Sequence, residues 1–117
     1  MPGQPTILLV EDDAALGALI TDMLEDAHYA VDGPYSSLSD AVAAVAMHFP
    51  WAAILDIHLH DGDVALLADD LEQYDIPFLF CSGACGGPVV NAHPQAPVVP
   101  RMEMVRALIP TLEKIVH

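Results

Sequence analysis

Two short apolar runs in this chain stop abruptly at carboxylates, and that pattern limits the fold more than any other feature. Thr6-Ile7-Leu8-Leu9-Val10 runs into Glu11-Asp12-Asp13, and Trp51-Ala52-Ala53-Ile54-Leu55 runs into Asp56. Runs this apolar and this short, without polar alternation, fit strands buried on both faces of a parallel sheet. In open α/β sheets the ligand crevice lies beyond the carboxyl ends of the strands, so acids at those ends stand where chemistry happens. Position alone does not assign a role. A single Asp after a strand also serves as a turn former or helix cap, because its side chain bonds nearby backbone N–H groups.

The rest of the chain alternates strand and helix patterns. Leu16, Leu19, Ile20, Met23, Leu24 and Ala27 recur at helical spacing. Tyr29 to Asp32 reads as a second strand, closed by Gly33-Pro34. Ser37 or Ser39 would cap a helix with Leu38, Val42, Val45 and Phe49 on its apolar face, ended by Pro50. After the strand that ends at Asp56, a loop through Gly62 leads to a helix carrying Val64, Leu67, Leu71 and Tyr74. Pro77 to Ser82 is a fourth strand. Gly86, Gly87, Pro88, Pro94 and Pro97 then leave room for one or two helical turns, which predicts a short or irregular fourth helix. Pro97 to Pro100 makes a fifth strand. The last helix shows Val105, Leu108, Ile109, Leu112 and Ile115 on one face, with a kink expected at Pro110.

This alternation predicts one α/β domain over residues 1–117 with a flexible start at 1–5. The sheet is doubly wound and five-stranded, with right-handed crossovers. The flavodoxin-like strand order 2-1-3-4-5 places the first and third strands side by side. Glu11, Asp12 and Asp56 then meet at one point.

Composition narrows the function. Seventeen acids against three bases give a formal charge of −14, which repels nucleic-acid phosphates and anionic membrane surfaces alike. The same charge suits a divalent cation or a protein partner. No apolar stretch approaches a membrane span, and the N-terminus lacks the pattern of a signal peptide, so a cytoplasmic location is expected. Cys81 and Cys85 read as two free thiols. Three ionised carboxylates in contact need a cation or raised pKa values. Mg²⁺ fits: Asp12 and Asp56 would bind directly, Glu11 through water, and the backbone carbonyl of His58 would complete the set. A free oxygen of Asp56 could then attack phosphorus, with Ser82 and Arg101 placed to bind the phosphoryl oxygens. His58-Leu59-His60-Asp61 offers a rival zinc reading, but Gly62 stands where a metal-hydrolase pattern would require an acid.

The three segments Ile7-Leu8-Leu9-Val10-Glu11-Asp12-Asp13, Leu55-Asp56-Ile57-His58-Leu59 with Asp61-Gly62, and Phe78-Leu79-Phe80-Cys81-Ser82-Gly83 resemble the receiver domain of two-component response regulators, in order and spacing. The resemblance implies Asp56 as phosphoacceptor, Glu11 and Asp12 as magnesium acids, and Ser82 as the switch hydroxyl residue. It implies a histidine kinase or phosphotransfer protein as partner, and a protein that assists its own phosphotransfer without being an enzyme in the ordinary sense. Phe80 through Gly83 further resembles a Phe-Ala-Thr-Gly subgroup of single-domain receivers that partners HWE-type histidine kinases, with Cys81 and Ser82 replacing Ala and Thr. The family's Lys-Pro reads Arg101-Met102, and Val98 and Val99 stand where its switch aromatic is expected. No output domain is expected after the last helix, which leaves protein contact or a phosphate sink as the output. The alternative is a pseudo-receiver, an interaction module that phosphorylation does not regulate.

Overall fold

The computed structural model describes residues 5–59, 62–82, 90 and 92–116, with the backbone alone at His58, Gly62, Asp63 and Ser82. Five parallel strands form the main sheet: β1 (Thr6–Val10), β2 (Ala30–Tyr35), β3 (Ala52–Leu55), β6 (Phe78–Ser82) and β7 (Val98–Pro100), in the spatial order β2-β1-β3-β6-β7. In order of occurrence that is 2-1-3-4-5, the predicted flavodoxin-like arrangement. The helices are α1 (Ala14–Asp26), α2 (Leu38–Met47), α3 (Ala65–Gln73) and α4 (Met104–Ile115), the last entered through a 3₁₀ turn at Arg101–Glu103. Two short strands, β4 (His58–Leu59) and β5 (Gly62–Asp63), pair antiparallel where a plain loop was expected. The irregular fourth helix predicted after Ser82 falls largely outside the described residues, as does Cys85.

Successive residues of a strand face opposite sides, and here both sides are apolar. Leu8, Val10, Ala53, Leu55, Phe78 and Phe80 pack with Ala41, Ala44 and Val45 of α2 and with Leu67, Ala68 and Leu71 of α3. On the other side, Ile7, Leu9, Ile54, Leu79, Cys81 and Val99 pack with Ile20 and Leu24 of α1 and with Met104, Leu108 and Leu112 of α4. This double cover is why the strands read as unbroken apolar runs. Each fully buried aliphatic side chain in these layers contributes about 1.5–3 kcal/mol.

Several expectations are corrected. Trp51 is 61 % exposed and precedes β3; its N–H donates to the Thr6 carbonyl at 2.8 Å, which ties its backbone to the amino end of β1. Phe49 lies beyond α2, exposed, and stacks on the half-exposed Tyr74 with ring centres 4.9 Å apart. Val105 is exposed, and Met104, one turn before Leu108, lies in the core with Leu108 and Leu112. Leu19 and Val42 are also exposed. α4 contains Pro110, as the sequence predicts. Ser37, not Ser39, caps α2 by accepting from the Asp40 N–H at 3.2 Å.

β2 does not close at Gly33-Pro34 but runs on to Tyr35, with a register shift against β1 between Leu8 and Val10. Gly33 makes this possible. Its φ is +125°, and a Cβ there would stand 2.4 Å from the Leu9 carbonyl oxygen. The extension has a use, since the Tyr35 carbonyl accepts the Glu11 N–H at 2.9 Å. All three basic residues, Arg101, Arg106 and Lys114, lie in α4 and its lead-in turn, whereas all but two of the seventeen acids, Glu103 and Glu113, precede it.

Candidate functional site

The register between β1 and β3 builds the site. Val10 lies opposite Leu55, so the next residues, Glu11 and Asp56, leave the sheet side by side. The Asp56 N–H donates to the Val10 carbonyl at 2.9 Å, which fixes the turn where the strand ends. The three consecutive acids after β1 take different positions. Glu11 is buried at 3 % exposure, Asp12 is exposed, and Asp13 caps α1 by accepting from the Leu16 N–H at 3.1 Å. Asp56 is buried at 4 % exposure. Carboxylate oxygens of Glu11, Asp12 and Asp56 all lie within 4.8 Å of one another. Among the described residues this is the one cluster with metal-ligand geometry.

Arg101 closes the group from β7. One guanidinium nitrogen, Nη2, stands 3.2 Å from Glu11 Oε2 and 3.4 Å from Asp56 Oδ2. The side chain is 38 % exposed while both acids are covered, so the charge enters the site from its rim. The Asp13 N–H also donates to Glu11 Oε2, at 3.2 Å. These favourable contacts do not offset the burial. The Glu11 carboxyl is pushed up to about 8, first by burial and then by its hydrogen bond and charge repulsion with Asp56; the Asp13 N–H and Arg101 pull the other way. Without a divalent cation, the Glu11 carboxyl is thus held well above the ordinary carboxylate range.

The donor set is all oxygen and all carboxylate, which matches a hard divalent ion such as Mg²⁺ rather than a soft or imidazole-seeking metal. His58 lies in β4 two residues past Asp56, and its backbone pairs with Asp63. Ser82 ends β6 and pairs with Pro100, immediately before Arg101. The Ser82 side chain lies outside what is described, as do His60 and Asp61 of the zinc reading. Cys81 is buried and free, and burial pushes its thiol up to about 11, so it stays protonated and inert.

A cavity of about 480 Å³ opens elsewhere, lined by Glu72, Ile76, Pro77, Phe78, Gln95 and Ala96. It sits at the amino end of β6, away from the acids. Near it lies a residue that the sequence reading missed. His93 is buried at 3 % exposure and held between Asp69 and Glu72 of α3. Nothing local marks it, because its partners stand 21 and 24 positions away.

No protein-family model and no curated protein matches the sequence. Solved structures do match. The non-phosphorylated HemR receiver domain from Leptospira biflexa superposes with a TM-score of 0.85 at 28 % identity, covering 97 % of this chain and 94 % of that one. The BeF3-activated conformation of SdrG from Pseudomonas melonis Fr1 gives a TM-score of 0.74 at 29 % identity, covering 96 % and 98 %. The BeF3-activated N-terminal receiver domain of RstA from Klebsiella pneumoniae gives 0.83 at 22 % identity, covering 96 % and 98 %. The chain thus has the flavodoxin-like fold of these receiver domains, and the structures it resembles are response-regulator receivers.

Proposed function

We propose that this chain is a response-regulator receiver that accepts a phosphoryl group on Asp56 from a histidine kinase or phosphotransfer protein. The observation that carries the reading is the placement of Asp56 at a strand end against Glu11, Asp12 and the Arg101 guanidinium. An Asp56 carboxylate oxygen attacks phosphorus, the P–N bond to the donor imidazole breaks, and the bonding electrons return to that nitrogen. Arg101, already on the rim of the site, stays near enough to bind a phosphoryl oxygen. The Ser82 hydroxyl would bind another. Glu11, Asp12 and Asp56, with the His58 carbonyl, would hold Mg²⁺. When bound, Mg²⁺ supplies positive charge against the charge developing on the transferred group. The chain contributes orientation and charge to its own phosphorylation and is not an enzyme acting on a separate substrate. Its output is a contact with a protein target or the draining of phosphoryl groups from a kinase.

The sequence Phe80-Cys81-Ser82-Gly83 supports a finer reading, in which the donor is a kinase of the HWE type. One observation favours a different reading. Arg101 already engages Glu11 and Asp56 together, a self-neutralised arrangement that a pseudo-receiver would also show.

Incubation with acetyl phosphate, with and without Mg²⁺, distinguishes the two. A receiver acquires a base-labile phosphate that requires Mg²⁺ and disappears in Asp56→Asn, whose circular dichroism stays that of the parent. Absence of labelling from acetyl phosphate and from phosphorylated kinases alike supports the pseudo-receiver.

A further inference from the structure

We propose that His93 is a proton-operated latch that fastens the turn at residues 92–96, just before β7, to α3. Its Nδ1 stands 2.8 Å from Glu72 Oε2 and its Nε2 stands 2.9 Å from Asp69 Oδ1. An ionised carboxylate only accepts hydrogen bonds, and a neutral imidazole has a single N–H. Both contacts are therefore hydrogen bonds only when the ring carries two protons. Loss of one proton points a nitrogen lone pair at a carboxylate oxygen within 3 Å, and that contact becomes repulsive.

The surroundings make the ring's position depend on those two bonds. His93 is almost fully buried, with Phe78 of β6 packed edge-on at 5.5 Å. Asp69 and Glu72 are three residues apart on one face of α3, and both remain more than half exposed. They are thus solvent-facing clasps rather than part of the buried core. Asp75 lies close by, beside Glu72 in the wall of the neighbouring cavity. Among the described residues no Lys or Arg pairs with either clasp. The backbone around the ring is local: the His93 N–H donates to Val90 at 3.1 Å, and the Ala96 N–H donates to His93 at 3.0 Å. The imidazolium is therefore a polar tie from this turn to α3. Protonation closes it and deprotonation opens it. The proposal does not depend on Asp56 accepting phosphate.

Hydrogen exchange of the full chain, followed from about pH 5.5 to about pH 8.5 to span the range in which histidine changes charge, tests the latch. After correction for intrinsic rates, protection at residues 92–96 and in α3 is expected to fall at least severalfold as pH rises. In the double variant Asp69→Asn, Glu72→Gln the amides can both donate and accept, so protection there should be independent of pH. Ring ¹⁵N shifts provide a second measurement, with two protonated nitrogens when protection is high and one when it is low. Equal pH dependence in parent and double variant, or a singly protonated ring at the pH of highest protection, would overturn the proposal.

Discussion

Glu11 keeps in the folded protein a proton that the unfolded chain gives up. Its carboxyl group moves from 4.5 to about 8, mainly through burial beside Asp56. Between those values the native state binds the extra proton, so stability falls as pH rises through the window, by up to about 1.4 kcal/mol per pH unit. The stabilisation is complete below the lower value and gone above the upper one. Urea denaturation at a series of pH values in chelator should show this slope. Glu11→Gln, which keeps the shape but cannot ionise, should flatten it; an unchanged slope would assign it to other groups. The roles of adjacent residues were only partly readable in advance. The run Glu11-Asp12-Asp13 announced an acid cluster, but its division into a buried acid, an exposed acid and a helix cap is set by contacts made only in the fold. His93 was silent for a different reason, since its meaning lies wholly in contacts made across the fold.

The strands β1 and β3 were legible because burial on both faces leaves an apolar run with sharp ends, and the carboxyl ends of such runs are where the site forms. β2 was shortened in the reading because Gly-Pro marks a turn in most chains. Here Gly33 lets the strand bulge and continue to Tyr35, which in turn anchors the Glu11 N–H. Gly33→Ala should therefore damage both stability and site. With φ at +125° and the new Cβ at 2.4 Å from the Leu9 carbonyl, the cost should reach about 1–3 kcal/mol or more. Chemical denaturation checks the loss, and a Gly33→Ala protein as stable as the parent would show that the bulge relaxes freely. Helix faces were right at Ile20, Leu24, Val45, Leu67, Leu71, Leu108 and Leu112 and wrong at their margins, at Leu19, Val42 and Val105. Val105 and Met104 are neighbours in sequence at the start of α4, and it is Met104 that is buried in line with Leu108 and Leu112.

At the scale of the whole molecule, a formal charge of −14 works against compactness, and part of that cost falls where Glu11, Asp12 and Asp56 meet. Millimolar Mg²⁺ should raise the melting midpoint more than NaCl of equal ionic strength, because site binding adds to screening. In Asp12→Ala the excess should vanish while the screening part survives. The uneven placement of charge has a kinetic consequence as well. Since every Lys and Arg lies in α4 or its lead-in turn, an anionic phosphodonor would meet a repulsive long-range field over most approaches and a less repulsive one on the side of α4 and Arg101. Its encounter with Asp56 is then a reaction between like charges, whose rate rises with added inert salt until the screening length falls to about 10 Å near 0.1 M. At fixed saturating Mg²⁺, acetyl phosphate should accordingly label the protein faster as ionic strength increases, the reverse of the behaviour expected of a basic, anion-steering site.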